Sequence, residues 1–151
     1  MSTTPTLNGQ VIGRAHYATR ALLERAVAPL GLSFVQVLAL NVLTDGAVER
    51  ERLVHRITST LKVDERTVHE VIAQLVDAGL ALVDDGSSTN AEARVRLTDT
   101  GHATQGRVSA AVTDIAAGLY GDIPADEAST AARVLTLVTQ RANDQLAATP
   151  A

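Results

Sequence analysis

Residues 57–101 read ITSTLKVDERTVHEVIAQLVDAGLALVDDGSSTNAEARVRLTDTG, and the reading of this stretch decides the fold. In its central part, about Val63 to Ala78, Val63, Val68, Val71, Ile72 and Leu75 fall at helical spacing and make one apolar stripe. Asp64 is suited to cap that helix, because a short carboxylate accepts the unpaired amides of a first turn. Gly79 is suited to end it, since glycine tolerates the left-handed backbone that closes a helix. Leu80 to Val83 then reads as a short buried strand, and Asp84 to Asn90 is turn chemistry throughout. Arg94, Val95, Arg96 and Leu97 alternate polar with apolar, as a half-buried return strand does. Upstream, about Glu49 to Thr58 forms a supporting helix with Leu53, Val54 and Ile57 inward. The order is that of a winged helix-turn-helix, a scaffold that lays its second helix in a DNA groove.

Outward from this core the chain is helical. Asn8 to Leu30 reads as a long helix with Val11, Ile12, Ala15, Ala18, Leu22, Ala26 and Val27 on one side, ended by Pro29 and Gly31. Ser33 caps a second helix through Leu43. After the wing, Asp99 or Thr100 opens a helix to about Tyr120, in which Val108, Val112, Ile115 and Leu119 repeat at near-heptad spacing. A break at Gly121 to Pro124 precedes a last helix, Ala125 to Ala147, with Ala131, Leu135, Val138, Ala142 and Leu146 in register. The expected fold class is therefore mainly α, with a small two- or three-stranded wing. The expected organisation is one domain over residues 1–151, with a winged core of about 33–98. The helices at about 8–30 and 99–147 carry apolar faces too long for that core to cover, and a second copy across a two-fold axis is their simplest cover. We expect a homodimer.

The totals exclude several classes. A chain of 151 residues can bury a core of its own. Without cysteine there is no disulfide framework and no thiolate for metal or nucleophilic work. The first ten residues are polar and no apolar run approaches membrane length, so we expect no signal peptide, no membrane partner and a cytoplasmic location. The formal charge of −4 does not favour nucleic acid overall, although the local distribution decides that matter.

Over essentially its full length the chain resembles the MarR family of bacterial transcription regulators. Thr67-Val68 sits where that family has a threonine-valine pair early in its recognition helix. Leu75 followed by Ala78-Gly79-Leu80 is similar to its leucine and glycine-leucine at the helix exit. Leu97-Thr98 with Gly101 is similar to its leucine-threonine-x-x-glycine after the wing, and the spacing from Gly79 to Leu97 also matches. The resemblance implies a dimer that binds duplex DNA and responds to small aromatic or anionic effectors held between the dimer helices and the winged core.

The sequence departs from that pattern where DNA is touched. The family's wing carries an aspartate-x-arginine; the corresponding positions here hold Thr89, Asn90 and Ala91, with Val83 and Asp84 upstream. Glu70 stands on the recognition helix where a basic or small polar group is usual. From Asp64 to Asp99 there are eight acids against three arginines, a local charge of −5 that repels a duplex. Residues 49–62 carry four bases against two acids, a partial offset. Arg66, His69, Glu70 and Gln74 are the candidates to face bases. Arg52, Arg56, Lys62, Thr67, Arg94 and Arg96 are those to serve phosphates. Taken singly, each charge is equally at home as an ordinary solvated group.

In the first helix Arg14, His16, Tyr17 and Arg20 cluster within two turns, with His16 and Arg20 four residues apart on one face. This grouping suits a carboxylate or phenolate, with the arginine giving a bidentate pair. Asn41 could add a neutral donor and His55 a further polar group. The same residues also fit a solvated helix and a dimer seam. The four histidines show no helical ligand spacing, so no metal and no cofactor is expected. No serine has the glycine-flanked setting of a nucleophile.

Two readings of function follow. The first is a ligand-responsive, MarR-like transcription regulator binding DNA as a homodimer. The second keeps the dimeric scaffold without DNA binding, as a small-molecule binding protein or a cofactor-free enzyme using His16, Tyr17 and Arg20. A dimeric module that sequesters another regulator is a third and plainer option.

Overall fold

The computed structural model describes residues 4–84 and 93–148. Among the described residues there are six α-helices: α1 (Gly9–Val27), α2 (Phe34–Val42), α3 (Arg50–Leu61), α4 (Glu65–Asp77), α5 (Asp99–Tyr120) and α6 (Ala125–Ala147). The three strands are β1 (Val48–Glu49), β2 (Ala81–Asp84) and β3 (Arg94–Leu97). They form one antiparallel sheet in the order β1-β3-β2. The chain groups into two compact units, Met1–Thr113 and Asp114–Ala151.

The first unit holds the winged core. Valines, leucines and isoleucines from the surrounding elements fill it: Val37, Leu40 and Leu43, Leu53 and Ile57, Val68, Ile72 and Leu75, then Val95, Leu97 and Val108. Each large aliphatic side chain buried this way contributes about 1.5–3 kcal/mol of transfer free energy. In β3, Val95 and Leu97 point inward and Arg94 and Arg96 outward, the period of two that the sequence predicts.

Several boundaries move for identifiable reasons. α1 gives way to a 3-10 turn at Ala28–Leu30, because Pro29 cannot donate the next helical hydrogen bond. Asn8 caps α1 through the Val11 amide, and Ser33 and Gln36 form a reciprocal capping box on α2. The supporting helix α3 runs on to Leu61, past the expected end at Thr58, and stops where Lys62 turns left-handed at φ 59°.

Val63 lies outside α4 rather than in its first turn. The capping residue Asp64 needs extended backbone (φ −80°, ψ 163°), so the helix cannot begin before Glu65. Val63 instead packs on the core ahead of the cap. At the other end Gly79 (φ 76°) closes α4, with the Leu80 amide on the Leu75 carbonyl and the Gly79 amide on that of Val76. Leu80 therefore belongs to the helix closure, and β2 begins one residue later than expected. Asp84 is the last residue of β2 rather than the first of a turn, since it pairs with Arg94. The turn residues 85–90 and the wing positions Thr89, Asn90 and Ala91 lie outside the described residues.

The wing sheet has three strands. Val48 pairs with Val95, and Glu49 with Arg94. In the second unit, α6 spans the predicted Ala125–Ala147, with Leu135, Leu137 and Leu146 exposed along it.

Candidate nucleic-acid interface and effector cleft

The apolar stripe of α4 fixes which side chains face outward. With Val68, Val71, Ile72 and Leu75 buried, the opposite face presents Arg66, His69, Glu70, Ala73 and Gln74. Each of these polar groups already has a partner. Arg66 and Glu70 form an ion pair one turn apart, Nε to Oε1 at 3.3 Å. The Gln36 amide donates to Gln74 Oε1 at 2.8 Å, which ties α4 to α2. Arg50 donates to Nδ1 of His69 from Nε at 3.2 Å and from Nη2 at 3.1 Å. Thr67 spends its hydroxyl on the Asp64 cap: both its amide (2.8 Å) and its Oγ1 (2.7 Å) donate to Asp64 Oδ1. These bonds, first that from the hydroxyl and then that from the amide, hold the Asp64 carboxyl below its ordinary pKa.

The outer face of the wing is equally balanced. Arg94 stands between Glu49 and Asp84 in the strand register. Arg96 Nε reaches Asp84 Oδ2 diagonally, at 3.1 Å. Arg52, Arg56 and Lys62 are exposed on or just after α3, and the Lys62 ammonium donates to the Ser59 carbonyl at 2.6 Å.

Of the expected effector residues, the fold brings His16 and Arg20 together in one cleft of about 270 Å³. Its other walls are Phe34, Val35, Thr60, Leu61 and Val63. The Arg20 guanidinium lies 4.3 Å from the Phe34 ring centroid, within range of a cation–π interaction, and its Nε donates to Glu24 at 2.6 Å. The His16 ring meets Phe34 edge-on at 6.3 Å. A stacked cation among apolar walls can take a flat anion, and the volume lies at the small end for ligand sites, enough for one ring. Tyr17 contacts the His16 ring but is 71% exposed, and Arg14 is exposed.

Asn41 and His55 lie elsewhere. Asn41 lines a second cleft of about 250 Å³ with Leu38, Val42, Arg56, Ile57, Thr60 and Leu61, and accepts from Gln105 Nε2 of α5 at 3.2 Å. His55 joins Arg50 and His69 in a third cleft, between α3 and α4. Among the described residues no group of three or more acids or histidines is placed to hold a metal ion.

Sequence reasoning passed over Phe34 and counted Arg50 only among the four bases of residues 49–62, with no role of its own. Phe34 is the one phenylalanine in the chain and follows a helix cap, a signal that could have marked it. Arg50 meets His69 across 19 residues, and no local spacing announces such a contact.

This geometry defines a winged helix-turn-helix protein with flanking helices. No protein-family model and no curated protein matches the sequence; solved structures do match the fold. A mutant of Escherichia coli MarR complexed with operator DNA is 21% identical, with 86% of this chain and 91% of that one covered at a TM-score of 0.72. CouR from Rhodococcus jostii, bound to p-coumaroyl-CoA, is 17% identical, with 86% and 90% covered at 0.73. BpsR from Bordetella bronchiseptica, whose DNA binding is regulated by 6-hydroxynicotinic acid, is 20% identical, with 92% and 97% covered at 0.73. The chain has the MarR-type fold.

Proposed function

We propose that this protein is a homodimeric, ligand-responsive regulator of transcription that binds duplex DNA through α4 and the wing. The observation that carries the reading is the outward row of α4, Arg66, His69 and Glu70, on a fold shared with an operator-bound protein. The cleft at His16, Arg20 and Phe34 supports a small aromatic or anionic effector, as does the likeness to CouR and BpsR. Exposed apolar side chains outside the core support self-association: Leu7 just ahead of α1, Val11 and Val112 on helices of the first unit, and Leu135, Leu137 and Leu146 in the second. In this reading the whole chain works as one domain. A ligand changes the spacing of two α4 helices, which must sit about 34 Å apart to enter successive major grooves. No single helix among the described residues is long and apolar enough to cross a membrane, and we place the protein's work in the cytoplasm.

Fluorescence anisotropy with duplex from the promoter beside its own gene tests the reading. Binding that weakens steeply with salt and in Arg94→Ala supports it. Absence of binding at about 50 mM salt, where phosphate contacts are strongest, sinks it. One observation favours the second reading, a dimer that has given up DNA for small-molecule binding or cofactor-free catalysis. Arg66 and Arg96 are both paired to carboxylates of the same chain, and Arg94 stands between two acids. Under that reading a planar aromatic carboxylate still binds, Arg20→Gln weakens it by about tenfold, and duplex DNA does not bind.

A further inference from the structure

Arg50 joins three parts of the proposed DNA surface. Its backbone amide donates to the carbonyl of Ala93, the residue that leads into β3 of the wing, at 2.8 Å. Its place at the start of α3 fixes the stem of its side chain. Its guanidinium donates twice to one atom of the recognition helix, Nδ1 of His69.

The chemistry of that contact has one solution. A guanidinium has only N–H groups to offer, and an N–H cannot bond to another N–H. Nδ1 of His69 therefore carries a lone pair, and the single proton of the neutral ring sits on Nε2. Nε2 is the ring nitrogen left free by this contact, and the side chain is exposed. His69 thus offers a donor and no free acceptor.

We propose that Arg50 is a positioning residue that holds His69 in its Nε2–H form, so that His69 prefers guanine to cytosine at one position of each half-site. The inference rests on the reading that α4 enters a major groove. There guanine shows two acceptors, N7 and O6, on its exposed edge. Adenine pairs an acceptor with a donor, thymine an acceptor with a methyl group, and cytosine shows a donor. A donor held in place finds an acceptor on every base edge but that of cytosine, whose amine repels it, and guanine offers two. A ring free to move its proton to Nδ1 has an acceptor to offer instead and loses that discrimination.

Two measurements on the full chain test this. The first is a long-range proton–nitrogen correlation spectrum of the histidine rings at about pH 8. It is expected to show the Nε2–H pattern for His69 in the wild type and in Arg50→Lys, which keeps a donor, and a tautomer mixture in Arg50→Met. The second is selection of binding sequences from a randomised duplex pool. The wild type and Arg50→Lys are expected to enrich guanine over cytosine at one position per half-site. In Arg50→Met and His69→Ala the preference for guanine over cytosine there falls by roughly two- to tenfold, the worth of one hydrogen bond. An Nδ1–H signature in the wild type overturns the proposal alone. So does a guanine preference that survives both Arg50→Met and His69→Ala. Failure to bind any duplex, with the Nε2–H signature intact, overturns the DNA-binding reading and takes the base contact with it.

Discussion

The Thr98 hydroxyl donates to the Gly79 carbonyl at 2.7 Å, and the same oxygen accepts from the Gly101 amide at 3.0 Å. One side chain thus ties the exit of the recognition helix to the entrance of α5. Thr98→Val keeps the shape and removes both bonds. We expect a loss of about 1–2 kcal/mol in urea unfolding with an unchanged m-value. A loss within error means that solvent replaces these bonds.

Gly101 sits in the first turn of α5 against the Leu80 carbonyl. A β-carbon there collides with that backbone oxygen and crowds Leu97. Neither neighbour is a flexible chain end that can swing away. Gly101→Ala is expected to cost about 3 kcal/mol, lowering the melting temperature by roughly 10 °C. Gly106→Ala, on the same helix with open space around it, serves as the matched control and is expected to leave stability unchanged or slightly raised.

Arg66 and Arg96 are the cations whose pairing bears on the proposed binding of DNA. Glu70→Gln and Asp84→Asn each remove a carboxylate from the proposed duplex-facing surface and release its arginine. Each is expected to tighten duplex binding by about threefold at low salt and to steepen the salt dependence. Both pairs are exposed, so little change in folding stability accompanies the gain. Anisotropy titrations at three salt concentrations measure this, and unchanged affinity in both variants removes these arginines from the interface.

Asp64 carries a pH signature. The Thr67 hydroxyl and amide hold its carboxyl below the ordinary 3.8. A group depressed in the folded state stabilises that state above its ordinary pKa and loses this contribution as pH falls through the folded value. The Thr67 amide resonance is therefore expected to titrate with a midpoint below 3.8, and to lose that titration in Asp64→Asn. A midpoint at or above the ordinary value contradicts the capping geometry.

Where the determinants are local, the chain announces its own fold. The Asp64 cap, the Gly79 closure, the alternation from Arg94 to Leu97 and the bounds of α6 each depend on residues within a turn or two. β1 escaped notice because two residues, Val48 and Glu49, have no period to detect. The site was half legible for the same reason. His16 and Arg20 declare themselves at a spacing of four, whereas Phe34, Thr60 and Leu61 join them only once α2 and α3 are folded. The ion pair of Arg66 with Glu70 stood in plain view at helical spacing, while the Arg50 bond to His69 links two helices.

Thr60 and Leu61 form a partition: each has one cleft against it on the α1 side and another beside Asn41 and Arg56. The two hollows share this wall, so a bulkier side chain at either position is expected to intrude on both, whereas Val35 lines only the first and Leu38 only the second. A change of occupant made through Thr60 or Leu61 on one side therefore drags the other along. The partition is also the last turn of α3, ending one residue before the left-handed step at Lys62. Under the proposed function, retuning the effector site through these two residues also reshapes the joint on which α4 is hung.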